Sequence, residues 1–255
     1  MISFDEAQIA QWLSPIVWPF LRVLAVFTAA PVLSSRAFPM RAKIGLSFLV
    51  ALAMQASLPG AQVISFNDPR ALAVVVQQVL IGVSIGFAVR VVFSAVELAG
   101  EVVGFQMGLN FAAFFDPSMN TQSSAVARFF SQMASLLFVV MNGHLLVLMA
   151  VTKSFEAFPV SPHFLDALAA MQLQRLGAEL FASALWIALP MLGILIFTNM
   201  ALGIISRVAP QMNIFAIGFP ITLVVGIVGI AVTLPMLDQP FTALMGKILT
   251  LFVAG

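Results

Sequence analysis

Long apolar runs with almost no charge are the feature that most constrains how this chain folds. An α-helix rises 1.5 Å per residue, so about 20 apolar residues cross the roughly 30 Å hydrocarbon core of a bilayer. We therefore predict an all-α, polytopic membrane protein built from helical hairpins and broken helices. The apolar segments lie at about residues 16–33, 44–58, 71–96, 125–151, 181–205 and 214–237, with a shorter one at 241–255.

The composition agrees with this class and excludes several others. Apolar residues make up 62% of the chain and charged residues 8%, against about 45–50% and about 25% in soluble domains. A net charge of +1 without a basic cluster excludes a nucleic-acid-binding surface. The chain has no cysteine and 2 histidines, which is a poor set of metal ligands. We predict no metal and no cofactor.

Prolines and the residues before the first apolar segment refine this prediction. Asp5 and Glu6 stand where a cleaved signal would carry positive charge, so we expect the first segment to be retained as a helix. Because proline removes a backbone donor, we expect kinked or broken helices that pack on protein neighbours. The prolines concerned are Pro19, Pro31, Pro190, Pro220 and Pro235.

Polar residues within apolar segments raise the alternative of a secondary transporter. Arg22 lies in the first segment, where an arginine costs about 2.5–3.5 kcal/mol on insertion scales, so it should be paired or face water. With Gln77, Gln78 and Asn199 it could bind a small solute near the bilayer midplane. The segments show no inverted repeat, which counts against this alternative.

The sequence GVSIG, at residues 82–86, matches the G-x-S-x-G pattern of a nucleophile elbow. An elbow requires a strand, a turn and a helix, whereas this pattern lies within an apolar segment. An intramembrane serine protease, with Ser84 as nucleophile and His144 or His163 as base, is a second alternative. We favour packing, because Gly82 and Gly86 have the spacing of a close helix contact. No catalytic residue is predicted.

Glycines and carboxylates share the segment that follows. Gly100, Gly104 and Gly108 recur every four residues, which allows close approach of a helix from the same chain or from another subunit. Glu97 and Glu101 lie one turn apart and repel each other by roughly 0.2–0.5 kcal/mol in water, so they need a cation or water. They form either a solvated helix end or a polar contact with another subunit.

A cluster of aromatic residues stands where an ordinary helix connection would carry short polar residues. The sequence GLNFAAFFDPSMNTQSS spans residues 108–124 and contains Phe111, Phe114 and Phe115. Asp116 and Pro117 follow directly, and the proline disfavours α geometry in the residue before it, so a helix stops here.

Two stretches carry a resemblance to a known family. GLNFAAFFDPSMNTQ is followed by VMNGHLLVLMAV, and NMALGIISRVAPQMNIFAIGFPITL spans residues 199–223. They resemble the FliR family of flagellar type III export-apparatus proteins, and the resemblance covers essentially the whole chain. The run at 209–215 is its most specific part. The continuation at 217–220 is more similar to the flagellar branch than to the related injectisome branch, the SctT family.

The resemblance implies a function and partners. FliR-like proteins join FliP-like and FliQ-like subunits in a helical export-gate assembly of the bacterial inner membrane, at the flagellar basal body. Unfolded flagellar proteins leave the cytoplasm through this gate, and an FlhB-like protein associates with it. The resemblance also implies a FliP-like region at 1–175 and a FliQ-like hairpin with a C-terminal segment at 176–255.

In this family, the loop matching residues 108–124 projects into the central pore as a plug. A narrow apolar constriction blocks ions by dewetting and can still be displaced by a passing chain. The alternative is that the three phenylalanines only anchor the loop to a neighbouring helix. Four further residues are expected to be structural or interface residues: Asn199, Pro210, Gln211 and Asn213. Of these, Pro210 should end a helix, and the two side-chain amides after it can satisfy freed backbone groups.

Overall fold

A computed structural model describes residues 6–55, 68–109, 123–211 and 214–253. These residues form helices and no strand, which confirms the all-α prediction. A 3-10 turn at Leu234–Met236 lies between the last two helices. The helices are α1 (Glu6–Ala29), α2 (Met40–Gln55), α3 (Ala71–Gln106), α4 (Ala125–Val140), α5 (Gly143–Ala157), α6 (Phe164–Ala170), α7 (Arg175–Val208), α8 (Ile214–Thr233) and α9 (Asp238–Thr250).

Four helices in the described part of the chain are long and apolar enough to cross a membrane, and they are α1, α3, α7 and α8. Helices α4 and α5 meet the same criterion only when taken together. With 36 residues, α3 is about 54 Å long, more than a bilayer core requires. Helix α2 has 16 residues and is too short to cross unaided. The polytopic membrane architecture is thus confirmed.

The apolar stretch at 125–151, predicted as one segment, consists of two helices. Helix α4 ends at Val140 and α5 begins at Gly143, because Asn142 between them has a φ of 54°. A left-handed residue cannot continue a right-handed helix, and asparagine tolerates this conformation better than most residues. The position of this break was not predicted, although the Asn-Gly pair is a turn signal despite its apolar surroundings.

Prolines inside the helices do not interrupt them. Helix α1 continues through Pro15 and Pro19, α7 through Pro190 and α8 through Pro220. Each of these prolines lacks the backbone donor that would bond the carbonyl four residues earlier. Of the five prolines named from the sequence, Pro31 follows the end of α1 and Pro235 lies in the 3-10 turn after α8. The described helices thus end near these two prolines and continue through the other three.

The chain divides into two compact units. The first comprises Met1–Val91, Asn142–Gly177 and Met245–Gly255, and the second comprises Val92–Met141 and Ala178–Leu244. In the second unit the Phe93 ring lies 5.6 Å from the Phe138 ring and 6.0 Å from the Phe241 ring. These contacts join α3, α4 and α9. The division at 175/176 into two subunit-like regions rests on resemblance and stays a prediction.

In the first unit, the glycines of the GVSIG sequence hold α3 against α1. A Cβ atom at Gly82 would collide with the backbone carbonyl oxygen of Arg22. One at Gly86 would lie 2.5 Å from the Ala29 Cβ and 2.9 Å from the Ala30 nitrogen. Because the neighbour is largely backbone, it cannot move aside cheaply. The packing interpretation of the two glycines is confirmed.

We predict that Gly86→Ala destabilises the protein by about 1–3 kcal/mol, because the added methyl overpacks a backbone contact. The control is Gly45→Ala on α2, where a Cβ would meet no atom within 4 Å. The thermal unfolding midpoint of the detergent-solubilised protein, followed by tryptophan fluorescence, separates the two variants. Equal midpoints would contradict the close contact.

Candidate functional site

The centre of the predicted plug lies outside the described residues, namely Phe111, Phe114, Phe115, Asp116 and Pro117. Both ends of this segment are described, and both belong to the second unit. We call these ends the loop base and define it as Met107, Gly108, Ser123 and Ser124. The geometry of the site is therefore the geometry of the loop base.

The chain leaves α3 through a glycine in the left-handed conformation. Gly108 has a φ of 80°, and its amide donates a hydrogen bond to the Phe105 carbonyl oxygen at 3.0 Å. A glycine just past the last helical turn, with this bond to the last turn, is a common helix end because glycine lacks the Cβ that clashes there. The spacing of Gly108 in the sequence predicted packing, and the structure adds a conformational role.

At the start of α4, Ser123 and Ser124 donate hydrogen bonds to two carboxylates of α3. The Ser124 amide donates to Glu101 Oε2 at 3.1 Å, and the Ser123 hydroxyl donates to Glu97 Oε1 at 2.9 Å. Ser124 also caps α4, since its Oγ accepts a hydrogen bond from the Ala127 amide at 3.1 Å. Negative charge is favoured near a helix N-terminus, whose free amides carry partial positive charge.

This arrangement answers why the two carboxylates stand one turn apart. Each accepts a hydrogen bond from one of two successive serines, so both face the same end of α4. A hydrogen bond to a charged group contributes about 1.5–3 kcal/mol when shielded and less when exposed. The sequence analysis missed the two serines, although serine directly before an apolar run is a helix-start signal.

The glycines of α3 bring α4 within backbone distance. A Cβ at Gly100 would lie 2.9 Å from the Ala127 Cα and from the Phe130 Cβ, and one at Gly104 would lie 3.0 Å from the Ser124 Oγ. The close partner of these two glycines is thus a helix of the same chain. A further contact of this region with another subunit stays a prediction.

The remaining predicted residues lie around the ends of α7 and α8. The Asn199 side-chain nitrogen lies 3.4 Å from Gln106 Oε1, a long hydrogen bond beside the loop base. Helix α7 ends at Val208, two residues before Pro210, and Gln211 is exposed in the turn that follows. Asn213 lies outside the described residues. The interface role expected of all four stays a prediction.

Comparison with known proteins decides the family. The family described as "Bacterial export proteins, family 1" matches residues 13–248. The flagellar biosynthetic protein FliR of Escherichia coli (strain K12) is 41% identical over 241 residues, which cover 94% of this chain and 92% of that protein. The chain belongs to the FliR family of bacterial export proteins.

Other FliR proteins extend this likeness. The FliR protein of Pectobacterium carotovorum subsp. carotovorum is 40% identical over 241 residues, covering 94% of this chain and 92% of that protein. That of Buchnera aphidicola subsp. Acyrthosiphon pisum is 31% identical over 237 residues, covering 93% and 92%. With its long apolar helices, this FliR-family chain is a membrane component of the flagellar export apparatus and not an enzyme.

The serine-protease alternative fails on geometry as well as on family. Ser84 is buried in the middle of α3, between the two glycines that pack on α1. A nucleophile elbow exposes its serine at a strained turn, which a continuous helix does not provide. His144 lies near the start of α5, and His163 directly precedes α6.

Three of the four polar groups invoked for a solute transporter, Arg22, Gln77 and Gln78, form hydrogen bonds within the first unit. Arg22 is fully buried and donates to Gln78 Oε1 at 2.8 Å, to the Ser154 Oγ at 2.9 Å and to the Phe158 carbonyl oxygen at 2.9 Å. Its guanidinium also lies 3.6 Å from the centre of the Phe155 ring. The expectation that this arginine is paired is confirmed, and its complete burial argues against contact with a solute.

We predict that Gly108→Ala destabilises the FliR-family chain by about 1–2 kcal/mol, because a left-handed residue with a Cβ is strained. The matched control is Gly203→Ala on α7, where a Cβ would meet no atom within 4 Å. That change should stabilise the helix by about 0.5–1 kcal/mol. Thermal unfolding midpoints of the two variants should therefore move in opposite directions, and a common direction would contradict the assigned conformation.

Proposed function

We propose that the chain is a core subunit of the flagellar export gate in the bacterial inner membrane, at the flagellar basal body. It assembles there with FliP-like and FliQ-like subunits, and an FlhB-like protein associates with the complex. Unfolded flagellar proteins pass through the gate. The segment at 108–124, with Phe111, Phe114 and Phe115, acts as a displaceable apolar plug.

The observation that carries this proposal is the loop base. Met107 and Gly108 end α3, while Ser123 and Ser124 return to the same end of α3 through Glu97 and Glu101. A segment of 13 residues, 110–122, is thus tethered at both ends to one helix. With about 3.4 Å per extended residue, it reaches at most about 20 Å from its base and returns.

This tether suits a plug for a physical reason. An apolar constriction excludes ions because water leaves a narrow apolar passage, and no covalent or ionic contact is needed to close it. A closed passage of this kind opens when a chain pushes the rings aside. A loop fixed at both ends returns afterwards, because its base has kept its place.

The surfaces of α7 and α8 support assembly with other apolar subunits. In the most apolar stretch of each helix, only 28% of the residues of α7 and 22% of those of α8 are buried within the chain. Phe197 on α7 is 75% exposed and Val232 on α8 is 67% exposed. Apolar helices with so little cover need lipid or protein around them. These helices form the region proposed to be FliQ-like, at 176–255.

We predict that the chain expressed alone aggregates or is degraded, and that coexpression with FliP-like subunits rescues it. An unpaired Arg22 is not the cause, because this side chain is satisfied inside the first unit. The uncovered faces of α7 and α8 are the better reason. Size-exclusion chromatography in detergent measures the outcome, and a monodisperse, thermally stable monomer would contradict the prediction.

We predict that replacing Phe111, Phe114 and Phe115 together by alanine makes the closed gate leak. Alanine is much smaller than phenylalanine, so the passage is wider and wets more easily. The complex should still assemble, and export should persist in part. Efflux of ions from cells or vesicles holding the assembled complex measures the leak, which should grow with the number of rings removed.

The control for the triple variant is Phe197→Ala, which removes an exposed ring from α7 and leaves the loop intact. It should not leak where the complex assembles. Unchanged permeability of the triple variant, with assembly shown by copurification, would contradict the plug. The three rings would then only anchor the loop to a neighbouring helix.

A further inference from the structure

The C-terminal end of α3 rests on one face of α8, within the second unit. The Met107 side chain is 1% exposed and fills the space above Gly226. A Cβ at Gly226 would lie 2.5 Å from the Met107 Cε and 2.6 Å from its Cγ and Sδ. Because three successive side-chain atoms are involved, the methionine cannot avoid a Cβ by turning its terminal methyl alone.

The backbone at the end of α3 meets the same face of α8. The Thr222 hydroxyl lies 3.3 Å from the Met107 carbonyl oxygen, which belongs to the last turn, where carbonyls have no intrahelical partner. The same hydroxyl lies 3.0 Å from the Phe219 carbonyl oxygen, and its one proton is shared between the two. A hydroxyl proton shared between two acceptors forms a weaker hydrogen bond with each of them than it would form with one acceptor alone.

Three residues of α8 therefore contact the residues where the chain leaves α3. A Cβ at Gly108 would lie 3.3 Å from the Phe219 ring. Phe219, Thr222 and Gly226 are spaced by three and four residues, which places them on one helix face. We call this face the α8 seat.

We infer that the α8 seat positions the loop base, with Met107 as the positioning residue that fits into it. Its consequence for the closed gate rests on the proposed function, whereas the contact itself can be tested separately. Methionine is flexible and keeps contact when its surroundings shift. The glycine notch fixes where along α8 that contact is made. A displacement of α8 is thereby transmitted to the point at which the 110–122 segment leaves α3.

Two features of α8 suit this role. Its opposite surface is largely uncovered, since Val224 is 58% exposed and Val228 is 57% exposed. Its buried stripe continues to Gly229, where a Cβ would lie 2.8 Å from the Met191 Sδ on α7. One side of α8 thus meets neighbouring methionines through glycine notches, while the other is open to whatever surrounds the chain.

The test uses the absence of cysteine from the chain. A single Leu109→Cys, two residues after Met107, reports on the loop base through its rate of modification by N-ethylmaleimide in the purified complex. Adding Gly226→Ala should raise this rate about tenfold, equivalent to about 1.4 kcal/mol of overpacking. The matched control, Gly193→Ala on α7, should leave it unchanged, because a Cβ there meets no atom within 4 Å.

A double-mutant cycle identifies Met107 as the partner. Met107→Ala alone should also raise the rate, because the notch is left empty. Combined with Gly226→Ala it should give a rate below the product of the two single effects, since the new methyl enters the vacated space. Simple multiplication of the two effects would overturn the assignment of Met107.

Thr222→Val keeps the inference testable if Gly226→Ala prevents assembly. This substitution preserves volume and removes the shared hydroxyl proton, so the labelling rate should rise about threefold. No change in labelling with either variant would overturn the α8 seat.

Ion efflux through the assembled complex separates this inference from the proposed plug. If the triple phenylalanine variant leaks and Gly226→Ala leaks less but measurably, with complex yield unchanged, the seat positions the plug. Suppose that the triple variant leaks and that Gly226→Ala shows a raised labelling rate but no leak. The positioning role of the seat is then overturned, while the plug stands. If the triple variant does not leak, the proposed function fails, and the labelling cycle still decides the seat.

Discussion

Close backbone contact along α3 is the constraint on which the rest of the described structure depends. In the first unit, Gly82 and Gly86 admit the backbone of α1, and in the second, Gly100 and Gly104 admit the start of α4. Between apolar helices in lipid there is little hydrophobic driving force, so attraction comes from dispersion at short distance and from hydrogen bonds. Glycine permits that distance, and each partner helix is fixed in register by its notch.

Arg22 and Gln77 show how buried polar side chains fix geometry in this apolar chain. Arg22 bonds α1 to α3 and to the carbonyl that ends α5, and Gln77 holds Ser161 through its amide at 3.0 Å in both directions. Removing one partner would leave a buried donor or acceptor without its bond, at a cost of about 1–3 kcal/mol or more for a charge. The α5–α6 connection is thereby tied to the helices beneath it.

The sequence could predict features with a regular spacing along the chain, but not contacts between residues that are far apart in it. Apolar length predicted the helices, and four-residue glycine spacing predicted the contact of Gly82 and Gly86 with another helix. The break at Asn142 was not predicted, because its turn signal lies among apolar residues. The two serines that donate hydrogen bonds to Glu97 and Glu101 were missed, because that pairing depends on where α4 begins in space. Thr222 carries no signal at all, since a threonine in an apolar helix usually bonds its own backbone.

The loop base is held by several contacts of different kinds, and this bears on how the proposed plug would work. At the base, a left-handed glycine, a helix cap and hydrogen bonds to two carboxylates act together, and the cap alone contributes about 1 kcal/mol. The plug proposed for Phe111, Phe114 and Phe115 would close by dewetting, which needs no specific bond. On that proposal, a passing chain would displace the rings without breaking the contacts at Gly108 and Ser124. The closed position would be restored because both ends of the segment are held to α3 at the loop base.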